Sequence, residues 1–495
     1  MRDVRAWRGD DKVEDMRSHR WFLESCRTAN SGAIVQTDRV AKIQVLARNS
    51  IADGQRAALD FSATVTAPES TIVERLFPPA LQLAIRDRFL HADGDPESGR
   101  RIYFENAGGG LTLKSVFEAD LRIGSLPDNT GRDNAASREI DKAIAAGRRD
   151  VALFLNAKDG TILSEQSSTA CAFRILDAAA AGVRGTNIVC SQLDHASFYD
   201  ATSIVARRHR LERRVVPVNR DTGALDPDAV TAMVDEGTVA VTIIHASNIT
   251  GAKADLEAIA ARVRERAPGA MIVVDGAQHT QHSVVDVAGC GVDAYVFSAY
   301  KVFSKAGFGF AYLSPRLAAM PHAQLLGKVA SDWDLGTRDA SGFAAFSCVV
   351  DYLCWLAREA VPEASPVDRR AAIAVAMNAI EGHEAALGKR LLHGDGALPG
   401  LLGHAQITLH GARHHCDGRE AVFAISVPGV STARLVREFV GRKVIVHDRV
   451  SDAYSRHTLE ALGVAEVVRV SLAHYNSPAE VDGFLRALGE VLQAV

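Results

Sequence analysis

Two short runs carry residues that can do chemistry together. They are Val273-Val274-Asp275-Gly276-Ala277-Gln278 and, one helical crossover later, Val296-Phe297-Ser298-Ala299-Tyr300-Lys301. In each, an apolar stretch of strand type ends in polar residues, and open α/β sheets bind ligands at the carboxyl ends of their strands. An aspartate there can hold a protonated ring nitrogen. A lysine there can form a Schiff base if its surroundings depress its pKa. Such a pair suits an organic cofactor acting as an electron sink, for which the protein supplies lysine, aspartate and a phosphate cradle.

The elements that must position these residues are legible from about 150 to 315. Strand candidates fall at Asn187–Cys190, Val215–Val218, Val239–Ile244, Met271–Val274, Ala294–Phe297 and Phe308–Leu313. Between them lie amphipathic stretches, one over 255–267 opened by Asp255 and one after Asp226-Pro227, an N-cap residue with proline at the first helical position. Strands alternating with helices predict an α/β fold with a mainly parallel sheet covered on both faces. Most of these strands are continuous apolar runs, as burial on both faces requires.

Outside that region the texture differs. Leu81, Ala84, Ile85 and Phe89 share a helical face after Pro78-Pro79, followed by a short strand at Arg101–Phe104 and a small-residue loop, Asn106–Gly110. Long helices are expected over 340–358 and 368–392, then strands at Ala421–Val427 and Val467–Leu472 around a helix at 431–440. Ser477-Pro478-Ala479-Glu480 opens the last helix as a capping box. The expected organisation is an N-terminal extension over 1–71 with no legible role, a large α/β domain over 72–340, and a small α+β domain over 341–495. Residues 72–110 contribute partly to the small domain.

Composition narrows the classes. The 495 residues are 47% hydrophobic and 23% charged, with a formal net charge of −4. That is an ordinary globular balance with no electrostatic case for nucleic acid. No apolar run approaches the ~20 residues of a membrane span, and the charged N-terminus lacks a signal-peptide core. Seven cysteines without CxxC spacing suit free thiols in a reducing compartment, so the cytoplasm is expected.

With the two runs in order, VVDGAQ…VFSAYK resembles the paired signatures of class V pyridoxal-phosphate enzymes, the group of cysteine desulfurases, selenocysteine lyases and isopenicillin N epimerases. The likeness runs from about 100 to 495. It implies the type I pyridoxal-phosphate fold, with Asp275 on the pyridinium nitrogen, Gln278 on the ring hydroxyl, and Lys301 as cofactor lysine and general base. It further implies that His195 stacks on the ring and that Asn248 sits beside the ring oxygen. Ser167, Ser168 and Ser298 would hold the phosphate, where a helix N-terminus suits a dianion. Tyr300 stands where many desulfurases carry a phosphate-binding histidine. Gly336-Thr337 resembles the loop that reaches the neighbouring subunit's phosphate, which implies a homodimer with shared sites. Arg469 matches the arginine that grips the substrate carboxylate, and Asn106 lies in the loop near the substrate mouth.

Taken singly, each residue has a plainer reading. A lone aspartate or lysine after a strand is more often structural, His195 a core or surface histidine, and Ser167 or Ser168 a helix cap. Arg469 alone would be an ion-pair partner. Their joint order and their placement at strand ends favour the site. His410, His414, His415 and Cys416 could be drawn as a metal site, but their loose spacing reads better as a polar turn, so no metal is expected. Asn106–Gly110 lacks the GxGxxG spacing of a dinucleotide loop.

The departures from the resemblance bear on the reaction. A desulfurase needs a thiol on the mobile loop before the carboxylate-binding arginine, and the stretch from His447 to Val468 has no cysteine. Cys416 precedes the strand at 421–427, the wrong part of the small domain. A lyase acting on a small amino acid by β-elimination or C–S cleavage is therefore expected. An epimerase or aminotransferase is the alternative, and a binding protein without turnover is the reading that retention of Lys301, Asp275 and Arg469 opposes.

Overall fold

The computed structural model describes residues 74–364, 366–412 and 418–495. The extension expected over 1–71 lies outside them. Seven strands form the principal sheet: β1 (Thr161–Glu165), β2 (Asn187–Ser191), β3 (Glu212–Val216), β4 (Thr238–Ile244), β5 (Met271–Asp275), β6 (Ala294–Ser298) and β7 (Gly309–Leu313). Their order is β1-β7-β6-β5-β4-β2-β3. β7 runs antiparallel to both of its neighbours, and every other pairing is parallel.

Every residue of β2, β4, β5, β6 and β7 is buried, which is why these strands read as unbroken apolar runs. The two edge strands are where sequence and structure part. β3 begins at Glu212, three residues before the expected Val215, because its exposed start is charged and only Val216 is buried. β1 was not expected at all; it is short and bounded by polar ends. Edge position removes the apolar signal that burial imposes.

The capping signals divide. Asp255 accepts from Ala258 N at 3.0 Å, and Ser477 with Glu480 forms the full capping box. Asp226 stands at an N-cap yet its carboxylate accepts from Asn219 Nδ2 instead, at 3.2 Å. Helices Lys114–Gly124 and Ala135–Leu155, absent from the sequence reading, pack against Ala340–Ala360. Ala340–Ala360 is, among the described residues, the helix long and apolar enough to cross a membrane, but 72% of its apolar window is buried inside the protein. Its Phe343, Phe346, Val349, Val350 and Leu353 belong to the larger core, so the expected border at 340 precedes an element of that core.

The long helix Arg369–His393 serves both cores. Ala372, Ala376, Met377 and Ile380 join the larger one, while Leu387, Leu391 and Leu392 join the smaller. The second sheet is wholly antiparallel, in the order Thr408–His410, Val422–Ser426, Val467–Ser471, His447–Arg449. Ile102–Tyr103 pairs in parallel with Val444–Ile445, and Glu105 bridges to Ser471. The loop after Tyr103 is thereby stitched to the strand that carries Arg469.

Candidate active site

The carboxyl ends of β5 and β6 bring Asp275, Gln278 and Lys301 together. The chain leaves β5 through Gly276, where a Cβ would meet the Tyr295 ring at 2.0 Å; no side chain fits there. Asp275 is buried and accepts from Ala277 N at 3.0 Å. Burial lifts its pKa to about 6. Lys301 ends a single 3-10 turn after β6 and donates from Nζ to Gln278 Oε1 at 3.2 Å. Burial and then the Arg469 guanidinium lower its pKa to about 8, so a fraction of the amine is neutral at physiological pH.

His195 caps helix Ala196–His209, its Nδ1 accepting from Ser197 N at 3.2 Å. Burial and then Lys301 push its pKa down to about 3, which leaves a neutral ring. Beneath that turn Asp194 is fully buried and accepts from Ser191 Oγ at 2.7 Å and from Thr242. Ser167 caps helix Ser168–Gly182 by accepting from Ala170 N at 3.2 Å. Ser298 Oγ donates to Ser168 Oγ at 2.8 Å, joining the end of β6 to this helix N-terminus. Gly309 permits the approach, since a Cβ there would meet the Ser168 backbone nitrogen at 2.2 Å.

Tyr300 lies beside Gly109, whose Cβ would stand 3.3 Å from the tyrosine ring. Thr337 is separate from these residues in its contacts; its Oγ1 accepts from Asn129 Nδ2 at 3.3 Å. The contact that Asn248 makes toward the site comes from its main chain: its carbonyl oxygen accepts from Arg469 Nη1 at 2.8 Å.

Arg469 is 2% exposed and reaches the site from the second sheet. Its Nη2 lies 2.5 Å from Glu105 Oε1, while its Nε has no partner among the described residues. Asn106, expected at the substrate mouth, departs from that expectation. It is fully buried, and its Nδ2 donates to Ser471 O at 2.8 Å and to Asn476 Oδ1 at 3.1 Å, while Tyr475 donates to its Oδ1. A side chain so committed frames the loop that carries Glu105 and has no amide hydrogen left for a substrate.

The stretch expected to lack a thiol forms the strand His447–Arg449, a turn and the helix Arg456–Leu462. Its Tyr454 ring lies 6.4 Å from the His195 ring, and its Arg449 guanidinium is near enough to Arg469 to have its pKa lowered, after burial. The described thiols are Cys171, Cys190, Cys290, Cys348 and Cys354. Burial raises the pKa of every one, Cys190 to about 11 and Cys290 to about 12, which suits packing rather than attack. Cys416, His414 and His415 lie outside the described residues; His410 Nε2 is 2.8 Å from Ser426 Oγ.

Sequence reasoning missed Glu105 and a buried set of histidines and glutamates behind Gln278. His282 Nδ1 is 2.6 Å from Glu384, and His279 Nδ1 is 2.7 Å from Glu420. His279 and His282 directly follow the aspartate run and offered a signal. Glu384 and Glu420 are distant in the chain and offered none.

The aminotransferase class-V family model matches residues 102–347, the span that holds the principal sheet and Lys301. The chain belongs to the class V aminotransferase family. This is a family of pyridoxal-phosphate-dependent enzymes, and the chain is one of them. A cysteine desulfurase of Enterobacter sp. (strain 638) is 25% identical over 411 residues, covering 79% of this chain and 93% of that protein. The aminotransferase-like protein FGM3 of Gibberella zeae is 28% identical over 416 residues, covering 79% and 95%. Among solved structures, the cysteine desulfurase CsdA from Escherichia coli superposes with a TM-score of 0.68 at 21% identity, over 85% of this chain and 100% of the other. The cysteine desulfurase from Thermococcus onnurineus NA1 gives 0.66 at 21%, over 80% and 95%. The class V likeness expected from the two runs and the expected α/β architecture both hold.

The residues present fit the family's cofactor. A buried carboxylate whose hydrogen-bond donor is one backbone N–H suits a protonated ring nitrogen, which would repay its desolvation. The helix N-terminus with Ser167 and Ser168 suits a phosphate dianion.

Proposed function

We propose that the chain is a pyridoxal-phosphate-dependent lyase that acts on a small amino acid by β-elimination or C–S cleavage, without a protein thiol as sulfur carrier. One observation carries this reading. Lys301, with its proton affinity lowered, shares a buried site with Asp275, Gln278 and Arg469, and no cysteine stands on the loop before Arg469. The bound cofactor supplies an electron sink for negative charge at the substrate α-carbon.

The chain's own residues do the rest. Asp275 would hold the ring nitrogen, Gln278 and Asn248 the ring oxygen, and neutral His195 would stack on the ring. Ser167, Ser168, Ser298 and Tyr300 would hold the phosphate, and Gly336-Thr337 would reach the phosphate of a neighbouring subunit. Arg469 would anchor the substrate carboxylate, and Lys301 Nζ would take the α-proton.

Tyr454 favours one second reading. A phenol on the loop near His195 can serve as an acid or base on the face away from Lys301, as epimerisation requires. Exposed Leu325, Leu326, Val329 and Leu335 flank the stretch that leads to Thr337 and support the homodimer. Five described cysteines, all free, support the cytoplasm.

Borohydride reduction of the yellow protein followed by mass spectrometry should place the cofactor adduct on Lys301. An adduct on another lysine sinks the assignment. Incubation with a panel of amino acids, following pyruvate, ammonia and sulfide, then separates elimination from C–S cleavage. Racemised substrate without those products establishes the epimerase reading instead.

A further inference from the structure

Behind Lys301 the hydrogen bonds continue away from the solvent. Lys301 Nζ donates to Gln278 Oε1 at 3.2 Å, Gln278 Nε2 lies 3.0 Å from His282 Nε2, and His282 Nδ1 lies 2.6 Å from Glu384 Oε2. All four side chains are buried. Glu384 comes from the helix Arg369–His393, the element that spans both cores.

A carboxylate only accepts and an ammonium only donates. With Glu384 ionised, those two ends leave one arrangement of hydrogens between them; burial lifts the Glu384 carboxyl to about 7, so this arrangement belongs to the pH range above that value. His282 donates from Nδ1 to Glu384 and presents its Nε2 lone pair to the Gln278 amide N–H. The Gln278 carbonyl oxygen then faces Lys301. A second proton on His282 would set N–H against N–H, and the amide would have to turn end for end. Its NH2 would then face Lys301, where an ammonium has no acceptor.

We propose that His282 and Glu384 are positioning residues for Lys301. Through the Gln278 amide they hold an acceptor against the lysine, and that one amide cannot serve a Lys301 ammonium and a His282 imidazolium together. The lysine therefore gives up its proton more readily when His282 carries one. Neutral amine, the form that attacks a carbonyl, accompanies a charged His282.

The charges around His282 make this exchange accessible. Burial opposes its imidazolium, and Glu384 with Glu420 outweighs burial, so its pKa stands above the ordinary value. Lys301 opposes it from the site side. His279, on the same turn, is paired with Glu420, and His474, which follows Val467–Ser471, feels both His282 and His383. His383 precedes Glu384 on the helix, and burial lowers its pKa to about 4, so it adds no charge near neutrality.

The coupling needs no cofactor, and only its consequence for cofactor capture rests on the proposed function. The test is a double-mutant cycle on the cofactor-free full chain carrying isotope-labelled histidine, with the His282 signals assigned by their loss in His282→Gln. Nitrogen shifts should show the Nδ1–H tautomer while Lys301 is charged. Lys301→Met should raise the proton affinity of His282 about tenfold or more, one pH unit in its titration. In a Gln278→Leu background, or Gln278→Met should the leucine variant not fold, the same replacement should move it less than about threefold.

Equal shifts in the two backgrounds would overturn the proposal, because the lysine would then act through space alone. So would the Nε2–H tautomer in the parent. In the cofactor-loaded protein, Glu384→Gln should shift the pH midpoint of the bound chromophore, and an unmoved midpoint counts against the proposal. A chain that binds no pyridoxal phosphate refutes the proposed function and leaves the result of the double-mutant cycle standing.

Discussion

Glu105 Oε1 lies 2.5 Å from Arg469 Nη2, so the arginine that faces Lys301 electrostatically already holds a carboxylate from its own chain. Among the described residues, buried Glu105 Oε2 has no donor and Arg469 Nε no partner. An incoming substrate carboxylate must either take the guanidinium N–H groups that Asn248 and Glu105 leave over or displace Glu105. Glu105→Gln keeps the acceptor and removes the charge. It should lower KM for a carboxylate substrate roughly three- to tenfold with kcat unchanged. A raised KM would show instead that the glutamate charge is needed to hold Arg469 in place.

Arg469→Ala should have the opposite effect and raise KM strongly. A charge-assisted hydrogen bond is worth about 1.5–3 kcal/mol, or roughly ten- to a hundredfold in binding. Steady-state kinetics with the same amino acid read both variants. A variant that binds amino acids as well as the parent protein removes the carboxylate role.

Cofactor capture should depend on pH through Lys301. Its pKa of about 8 means that the neutral amine grows about tenfold per pH unit below that value and saturates above it. Stopped-flow absorbance of pyridoxal phosphate added to cofactor-free chain should show that profile. A midpoint near the free lysine value of about 10.4 would mean the amine is not desolvated in solution.

The same burial has a stability consequence with a definite sign. Because the folded pKa of Lys301 is lowered, the unfolded chain binds more protons between about 8 and the unperturbed value, and the lysine's contribution makes stability rise with pH there. Below about 8 the buried ammonium costs stability in the cofactor-free chain. Lys301→Met should therefore stabilise that chain at pH 7, on the order of 1–3 kcal/mol, while abolishing turnover. Denaturant unfolding at pH 7 and pH 10 checks it, and the gain should shrink at the higher pH.

The thiols divide this chain from a persulfide mechanism. With all seven cysteines replaced by alanine or serine, amino-acid turnover should stay within about tenfold, roughly 1.4 kcal/mol in barrier. Cys416→Ala alone serves if the full set does not fold. Loss of activity traced to Cys416, with a persulfide there after incubation with cysteine, would restore the desulfurase reaction.

What the sequence determined by itself follows from burial. β5 and β6 lie inside the sheet, so both faces select apolar residues, and the polar residues that end them, Asp275, Gln278, Ser298 and Lys301, stand out at the place where parallel sheets bind ligands. Ser477 and Asp255 were legible because a cap is written within four residues. The edge strand β1 and the charged start of β3 escaped because solvent on one side relaxes that selection. The border between the cores lies inside Arg369–His393, a continuous helix with no punctuation to mark it. Only the tertiary structure brought Glu105 to Arg469 and Glu384 to His282. Each pair spans a long stretch of chain and consists of common ionisable residues, which carry no spacing signal. Folding alone sets them within hydrogen-bond reach, in a dry interior where such a contact decides the charge of its neighbour.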